Sequence, residues 1–342
     1  MQAPALPVAI NACPGSGRAL AGLRLSTRAV VAAACLCLAP ALSLGGEPGP
    51  LYLSGNASRV PATDLDGRGP GSRVAAEDSQ AASAFARFSL GAATLDLGVD
   101  YQYTHYEYDA VDSRNRDLHR VQLPIWLSVP GDGWHIRAHA APGIFTSSNV
   151  LKDFFDRGSR DDLYVSARIE ASGADPLRPW LVGVAHDRAF GKSTTYPVIG
   201  LNLAPRDGVG IRLAWPDPAI HIRPSDRHRI SLEVFPAGSQ WHVRTDDFTS
   251  EWDYRFESWR SQLSWNLGLY DGASLDLSLG YEFDRQHHFT DDQGMRVDAR
   301  AEPQWFFAVG FRLGNGSLPL AHGYHLNRRA GLMSGAAATN HR

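Results

Sequence analysis

Residues 304–313 read Gln-Trp-Phe-Phe-Ala-Val-Gly-Phe-Arg-Leu, and this stretch decides the fold. Every second residue from Trp305 to Leu313 is large and apolar, while the opposite face carries two small residues and Arg312. A repeat of two residues predicts a β-strand with one apolar face. Because the other face is a poor partner for a soluble core, the pattern suits a strand between lipid and a wet lumen.

The same alternation recurs upstream, where a helical period of 3.6 would scatter the two faces. Several of these segments reach the roughly 9–11 residues that a tilted strand needs to cross a bilayer. The clearest cases are 95–103, 121–129, 134–140, 163–170, 230–234, 259–269 and 275–284.

The connections predict an outer-membrane barrel, because such barrels have short periplasmic turns and long extracellular loops. Gly, Pro and Asp mark the tight turns: 91–93, 130–133, 205–208, 236–239 and 271–274. Longer polar loops lie between them: 109–117, 146–161, 188–195, 246–256 and 285–303.

Strand parity predicts an all-β, antiparallel transmembrane β-barrel of about 14 strands, within a range of 12–16. The first strand, 51–57, should pair with 304–313 and close the sheet. We interpret 211–223 as one strand kinked at Pro216, followed by a turn at 224–227. Residues 58–82 are expected to form a flexible loop or a plug-like segment.

The N-terminus resembles a secretory signal peptide, because arginines precede an apolar run from Ala29 to about Leu44. An N-terminal membrane anchor is the alternative. We expect 1–46 to be signal peptide and extension, 47–313 the barrel, and 314–342 a disordered tail. Cleavage would remove all three cysteines, Cys13, Cys35 and Cys37, and send the chain to the outer membrane of a Gram-negative bacterium.

The composition limits the classes of binding partner that we expect. The net charge of −3 gives no reason to expect nucleic acid, and the mean hydropathy of −0.25 excludes a polytopic helical membrane protein. The expected partners are outer-membrane lipid, lipopolysaccharide and the barrel-assembly machinery. The oligomeric state is open.

Aromatic residues near the predicted strand ends suggest two interfacial girdles, since amphipathic rings favour the headgroup level. The alternative is the aromatic core of a soluble β-sandwich. The predicted interface residues are Tyr101, Tyr103, Trp134, Trp180, Trp241 and Trp305.

Polar residues on the face opposite the apolar one are candidates for the lumen. The alternative is an interior whose charges pair with one another and bind no ligand. The lumen-facing candidates are Arg137, His139, Arg168, Glu170, Arg260, Glu282 and Arg312.

The region 196–244 carries a family resemblance. It contains Tyr-Pro-Val-Ile-Gly-Leu-Asn-Leu at 196–203, Ile-Arg-Leu-Ala-Trp-Pro at 211–216, Ala-Ile-His-Ile-Arg-Pro-Ser-Asp at 219–226 and Pro-Ala-Gly-Ser-Gln-Trp-His-Val-Arg at 236–244. These motifs resemble a family of porin-like outer-membrane β-barrels classed as a domain of unknown function. The resemblance covers about 50–313 and implies the fold and location, without a substrate or catalytic residues. Unlike barrels that end at their last strand, this chain continues to residue 342.

Catalytic chemistry has little support. None of the 13 histidines is followed two positions later by serine, the pairing of outer-membrane lipid hydrolases. The acidic loops around Asp161 and Glu251 could attract Ca²⁺ or Mg²⁺, but their spacing matches no defined calcium loop and suits solvated loops better. We therefore expect no catalytic residues, no metal and no cofactor.

The sequence favours a passive pore or transport protein for small polar solutes, because the inward faces are polar and carry both charge signs. A non-conducting structural or adhesive barrel is the second hypothesis. An outer-membrane lipid hydrolase is the third.

Overall fold

The structure is a computed structural model that describes residues 51–66, 70–111, 116–158, 160–173, 179–244, 250–270, 272–290 and 294–314. The predicted signal peptide and the predicted C-terminal tail beyond Gly314 lie outside these ranges. Within them, no helix is long and apolar enough to cross a membrane.

The described chain is mostly β-structure. Its strands are β1 (Leu51–Val60), β2 (Thr63–Asp66), β3 (Arg73–Leu90), β4 (Ala93–Asp109), β5 (Arg116–Gln122), β6 (Ile125–Gly131), β7 (Trp134–Ser147), β8 (Leu163–Gly173), β9 (Trp180–Asp187), β10 (Thr194–Arg206), β11 (Val209–Trp215), β12 (Ala219–Ser225), β13 (His228–Pro236), β14 (Ser239–Arg244), β15 (Glu251–Tyr270), β16 (Ala273–Thr290), β17 (Arg296–Ala301) and β18 (Gln304–Leu313). Helices α1 (Ser148–Lys152) and α2 (Phe154–Arg157) and a 3₁₀ helix (Arg160–Asp162) lie between β7 and β8.

All eighteen strands belong to one sheet that closes on itself. The first and last strands pair antiparallel, from Leu53 opposite Leu313 to Arg59 opposite Phe307, as the sequence predicts. The sheet forms fourteen wall strands, because four wall strands are each broken into two consecutive segments. The fold is therefore an antiparallel β-barrel of the transmembrane type.

A proline lies at each of these four breaks: Pro61, Pro124, Pro236 and Pro303. Proline has no N–H to donate to the sheet ladder, so it interrupts a strand where the wall must change direction. The breaks separate β1 from β2, β6 from β5, β13 from β14 and β18 from β17.

Beyond the breaks, the wall narrows into a smaller ring that we call the cap. The cap consists of β2, β5, β14 and β17, with the ends of β3, β4, β7, β15 and β16 that lie farthest from the tight turns. The ring closes because β14 crosses the barrel mouth and meets β7, with His242 opposite Thr146. Strands β8 to β12 stop below this ring.

The outward face of the wide part of the barrel is an apolar belt. Its side chains are about half exposed, including Ile169 at 51%, Phe307 at 54% and Leu279 at 52%. A continuous exposed apolar surface of this extent is foreign to soluble monomers. The cap instead carries exposed ion pairs such as Arg73–Asp109 and Arg300–Asp284 on its outer face. The belt therefore faces lipid, and the cap projects into water.

Two strand predictions are wrong, and their errors cancel in the strand count. Residues 211–223 form two strands, β11 and β12, joined by a short turn at 216–218. Residues 236–239 form no turn, because β13 and β14 both pair with β15 and continue one wall strand. The proline at 236 marks an in-line break, whereas Pro216 and Pro218 lie in a true reversal.

Two predicted irregular regions are also largely strand. Most of 58–82 belongs to β1, β2 and β3, and β16 and β17 occupy much of 285–303. Residues 63–76 and most of 285–303 lie in the cap, where the outer face of each strand meets water and not lipid. Most of the segment that was expected to form a plug therefore belongs to the barrel wall.

Candidate functional site

The inward face of the barrel is polar and extensively paired. The structure places all seven lumen candidates on this face: Arg137, His139, Arg168, Glu170, Arg260, Glu282 and Arg312. Most of their charges meet opposite charges inside the barrel. Arg312 Nε, for example, lies 2.8 Å from Asp276 Oδ2 on the neighbouring strand.

A charged quartet of Glu77, Arg260, Glu282 and Arg285 crosses the lumen at the base of the cap. Arg260 Nε lies 2.7 Å from Glu282 Oε1, and its Nη2 lies 3.3 Å from Glu77 Oε1. Arg285 Nη2 donates to Glu77 Oε2 at 3.0 Å. Since β3 and β15 are not neighbours in the wall, the contact between Glu77 and Arg260 spans the interior.

The quartet is almost completely shielded from water. The side chains of Arg285 and Glu282 are 0% exposed, and Glu77 is 4% exposed. The negative charges of the two carboxylates balance the positive charges of the two guanidinium groups, as charges buried away from water require. The sequence indicated Arg260 and Glu282 but missed Glu77 and Arg285, because both lie in regions predicted to be loops.

Above the quartet, buried aromatic rings fill the cap. Tyr108 Oη and Tyr254 Oη are 2.5 Å apart, and Tyr254 Oη is 2.9 Å from His287 Nδ1. Burial, reinforced by the nearby Arg285 guanidinium, holds the pKa of His287 well below its usual value, so the ring is neutral. The hydrophobic cluster also contains Leu65, Val74, Tyr106, Leu118, Phe145, Tyr164, Trp241, Val243, Phe256, Phe289 and Val297. Packed rings and the quartet together close the lumen at the cap.

The prediction that Trp241 lies at the membrane interface is wrong. The residue is only 4% exposed, and its ring packs in the cap 5.9 Å from that of Tyr254. The error follows from the wrong turn at 236–239, which placed Trp241 at the start of a separate membrane strand.

The other predicted interface aromatics lie on the outward face. Trp134 and Trp180 are each 38% exposed beside the tight-turn end, and Trp305 is 56% exposed toward the cap. Tyr101 and Tyr103 lie on the outward face of β4, with hydroxyl groups bonded to His119 and Asp117.

We call the contact between β7 and β14 the seam. Thr146 Oγ1 donates to the carbonyl oxygen of His242 at 3.1 Å, and Asn149 Nδ2 donates to that of Arg244 at 2.7 Å. Arg188 Nη1 donates to the carbonyl oxygen of Gln240 at 2.8 Å. Side-chain hydrogen bonds therefore supplement the single backbone pairing of β7 with β14 at the seam.

Beside the seam, the short strands leave a notch in the wall. Pairing of β10 with β11 begins only at Ile199, and pairing of β12 with β13 stops at Glu233. The ring of Phe190 fills the notch, with its centroid 5.0 Å from that of Tyr196 and 5.8 Å from that of Trp259. A backbone bond from Gly238 N to Ala189 O, 2.7 Å long, holds this loop in place.

A second charged group ties the short strands together below the notch. Arg212 Nη2 donates to Glu170 Oε1 at 3.0 Å and lies 3.2 Å from Asp217 Oδ1. Arg168 pairs with Glu170 and lies 3.4 Å from Asp217 Oδ2. Asp217 is 1% exposed, so the turn at 216–218 directs its carboxylate into the lumen.

The tight-turn half of the barrel contains a polar cavity, which we call the lower cavity. Its empty space is about 720 Å³, including the part open to solvent. The inward-facing side chains around it carry hydroxyl, amide and charged groups of both signs: Ser54, Asn56, His221, Arg229, Ser231, Glu233, Ser264, Asn266, Asp276, Ser278 and Arg312. Polar side chains thus line the space below the cap, whereas side chains fill the lumen within the cap.

Histidine–serine contacts occur between neighbouring strands and between β5 and helix α1, where a search along single strands cannot detect them. They include His119 Nε2 with Ser148 Oγ at 2.6 Å, His135 Nε2 with Ser128 Oγ at 2.7 Å and His221 Nδ1 with Ser231 Oγ at 2.8 Å. Nucleophilic hydrolysis needs serine and carboxylate on opposite ring nitrogens. In His221, however, Nδ1 faces both Ser231 and, at 4.0 Å, Glu233. In His119, the nitrogen opposite Ser148 faces the hydroxyl group of Tyr101 and not a carboxylate. The absence of an enzymatic role stays a prediction.

Neither a protein-family model nor a curated protein matches this chain. Solved structures similar to it include a FadL homologue from Pseudomonas aeruginosa, with 11% identity, a TM-score of 0.45, and coverage of 77% of this chain and 90% of that one. An outer membrane channel from Pseudomonas putida F1 has 9% identity and a TM-score of 0.45, covering 79% and 95%. The P. putida toluene transporter TodX has 8% identity and a TM-score of 0.38, covering 83% and 92%. Such distant matches assign no substrate, so function must come from this chain's own residues.

Proposed function

We propose that this protein is an outer-membrane transport barrel that passes small polar solutes when its cap opens. The observation that carries the proposal is the lower cavity, which is polar and lies directly beneath a lumen closed by the cap. A purely structural barrel has no need of a polar space there, since apolar side chains would fill it with less desolvation cost. The simple passive pore expected from the sequence becomes a gated one.

The belt and the predicted signal peptide support an outer-membrane location. A closed barrel with lipid-facing apolar residues and water-facing polar ones is the form in which β-structure spans a membrane. Export through the predicted signal peptide would bring it to the outer membrane, with the tight turns in the periplasm and the cap outside.

The seam offers a direct test of gating. Because Thr146 and His242 are register partners and the barrel residues 47–313 contain no cysteine, a Thr146→Cys/His242→Cys pair can form a single disulfide across the seam. Single-channel currents are measured in planar bilayers under oxidising and then reducing conditions. We expect the oxidised barrel to be silent and the reductant to restore openings, while the currents of each single-cysteine variant should not respond to the reductant.

Two results would contradict the proposal. Equal currents before and after reduction would mean that ions do not pass through the cap. Silence of the wild type, the single variants and the reduced pair alike would instead support a non-conducting barrel.

One observation favours attachment as a second function. The side chain of Phe155 in α2 is 100% exposed on the cap, with its ring 5.8 Å from that of Phe154, so a partner can reach it. The rest of this segment is built into the seam, since Val150 is fully buried and Asn149 bonds to β14. Phe155→Ala should therefore abolish binding to surfaces without changing the currents, whereas deletion of 146–161 would damage the cap itself.

A further inference from the structure

The seam brings together two acidic segments that lie far apart in the sequence. Asp161 comes from the 3₁₀ helix after β7, and Glu251 begins β15. Between them lies His242 of β14. One ligand atom from each of the three residues lies within 4.8 Å of the other two.

The imidazole of His242 faces a carboxylate on one side, as metal-binding histidines commonly do. Its Nδ1 faces Asp253 Oδ1 at 3.6 Å, and Asp253 is itself fixed by Gln240 Nε2, which donates to its other oxygen at 2.6 Å. Histidine ligands usually direct one nitrogen to a carboxylate of this kind, so that the other nitrogen is oriented toward the metal.

The other nitrogen points into the cluster. His242 is 7% exposed, and its Nε2 atom is shielded from solvent without a hydrogen bond to any described residue. The carboxylate oxygen Oε2 of Glu251 lies 3.4 Å away but outside hydrogen-bond geometry. A buried nitrogen in this position is costly unless a ligand completes it.

We propose that Asp161, His242 and Glu251 bind one divalent transition-metal ion of the Zn²⁺ type. An imidazole with two carboxylates suits zinc, whereas Ca²⁺ and Mg²⁺ prefer oxygen ligands only. Three protein ligands leave a fourth position for water.

Arg244 keeps the cluster balanced without the ion. Its Nε lies 3.3 Å from Glu251 Oε2, and its Nη2 lies 3.4 Å from Asp162 Oδ2. Since the side chain of Glu251 is 59% exposed, it can turn from Arg244 to the metal while Asp162 retains the guanidinium. The ion then links the β7–β8 connection to β14 and β15 and stabilises the closed seam, because it binds the closed form alone.

The experiment is calorimetric titration with Zn²⁺ of the full chain, folded in detergent micelles, with Cys13, Cys35 and Cys37 replaced by serine because their thiols would also bind the ion. We expect one ion per chain. Glu251→Gln and His242→Ala should weaken binding by more than the ~10–100-fold that follows loss of an outer-shell partner, and Asp253→Asn should weaken it within that range. His288→Ala is the matched control, because His288 also lies beside two cap carboxylates, Asp298 and Glu257, and should leave binding unchanged.

A second measurement separates binding from folding. Heat-modifiable migration on a gel shows first that each variant is folded, and Zn²⁺ should then raise the unfolding temperature of the wild type and His288→Ala but not that of Glu251→Gln. Equal Zn²⁺ affinity in the wild type and His242→Ala would overturn the proposal. Displacement of Zn²⁺ by equimolar Ca²⁺, or no binding by the wild type, would also overturn it.

Discussion

The charged quartet makes a quantitative prediction for Arg285→Met. The substitution keeps most of the side-chain volume but leaves Glu77 and Glu282 with a single guanidinium, Arg260. Arg285 also donates to Thr63 Oγ1 at 3.0 Å and to the carbonyl oxygen of Glu302 at 3.2 Å. Removing one partner of a buried ion pair leaves an uncompensated charge, which costs about 3–5 kcal/mol. The lost hydrogen bonds place the expected decrease in unfolding free energy near the upper end of that range.

A second substitution isolates the charge from the packing. Glu77→Gln in the Arg285→Met background restores neutrality, so the double variant should be more stable than the sum of the single effects by at least about 2 kcal/mol. Urea unfolding in lipid vesicles, followed by tryptophan fluorescence and by heat-modifiable migration, gives all four free energies. A cost below about 1 kcal/mol for Arg285→Met, or additive single effects, would refute the view that the quartet is a buried, balanced unit.

Two further predictions test packing and pH dependence. A Cβ added at Gly98 would lie 2.3 Å from Cδ1 of Phe85, so Gly98→Ala should lower the unfolding free energy by about 1–3 kcal/mol. Gly268→Ala is the control, because the nearest atom to an added Cβ there is 3.5 Å away, and it should cost less. Equal costs for the two variants would contradict the packing argument. His105 and Asp117 pair on the outer face of the cap, where their hydrogen bond raises the pKa of His105 and lowers that of Asp117. The stability that His105 contributes is complete below its unfolded pKa of about 6.5 and is lost as the pH rises through its folded pKa. The stability that Asp117 contributes is present above its unfolded pKa of about 3.9 and is lost as the pH falls through its folded pKa. His105→Gln should therefore destabilise the barrel by roughly 0.5–1 kcal/mol at pH 5.5 and by less at pH 8.5, and an equal cost at both values in urea unfolding would argue against the ion pair.

The lipid-facing part of the barrel could be predicted from the sequence because lipid imposes one rule on every strand. Outward residues must be apolar, so a strand such as 304–313 reveals its two faces directly. The pairing of the first and last strands was also predictable, because an antiparallel barrel with an even number of strands closes by pairing its two ends.

The cap could not be predicted in this way, because its outward face meets water and its inward face is aromatic. This reversal obscures the faces of β14 and β17, and it is why Trp241 seemed an interface residue. The prolines at 61, 124, 236 and 303 are the available signal. Each one allows the wall to bend without ending a strand, but proline patterns alone do not distinguish such a bend from the reversal at Pro216.

The candidate site was predictable only by face. The sequence indicates that Arg260 and Glu282 point inward, yet Glu77 lies on β3, which is not a neighbour of β15 or β16 and reaches Arg260 only across the lumen. Likewise, the acidic segments containing Asp161 and Glu251 looked like separate solvated loops until β14 brought His242 between them. Contacts across a lumen depend on closure and on strand tilt, which local periodicity does not encode.

The central claim, a barrel whose polar lumen is closed by an external cap, is tested most directly by cysteine accessibility. Ser278→Cys places a thiol in the lower cavity, and Asp298→Cys places one on the exposed outside of the cap. The reagent is a membrane-impermeant biotin maleimide, applied to intact cells that lack general porins and then to permeabilised cells. We expect Asp298→Cys to react in both and Ser278→Cys to react only after permeabilisation, from the tight-turn side. Equal rates for the two thiols in intact cells would contradict a closed cap.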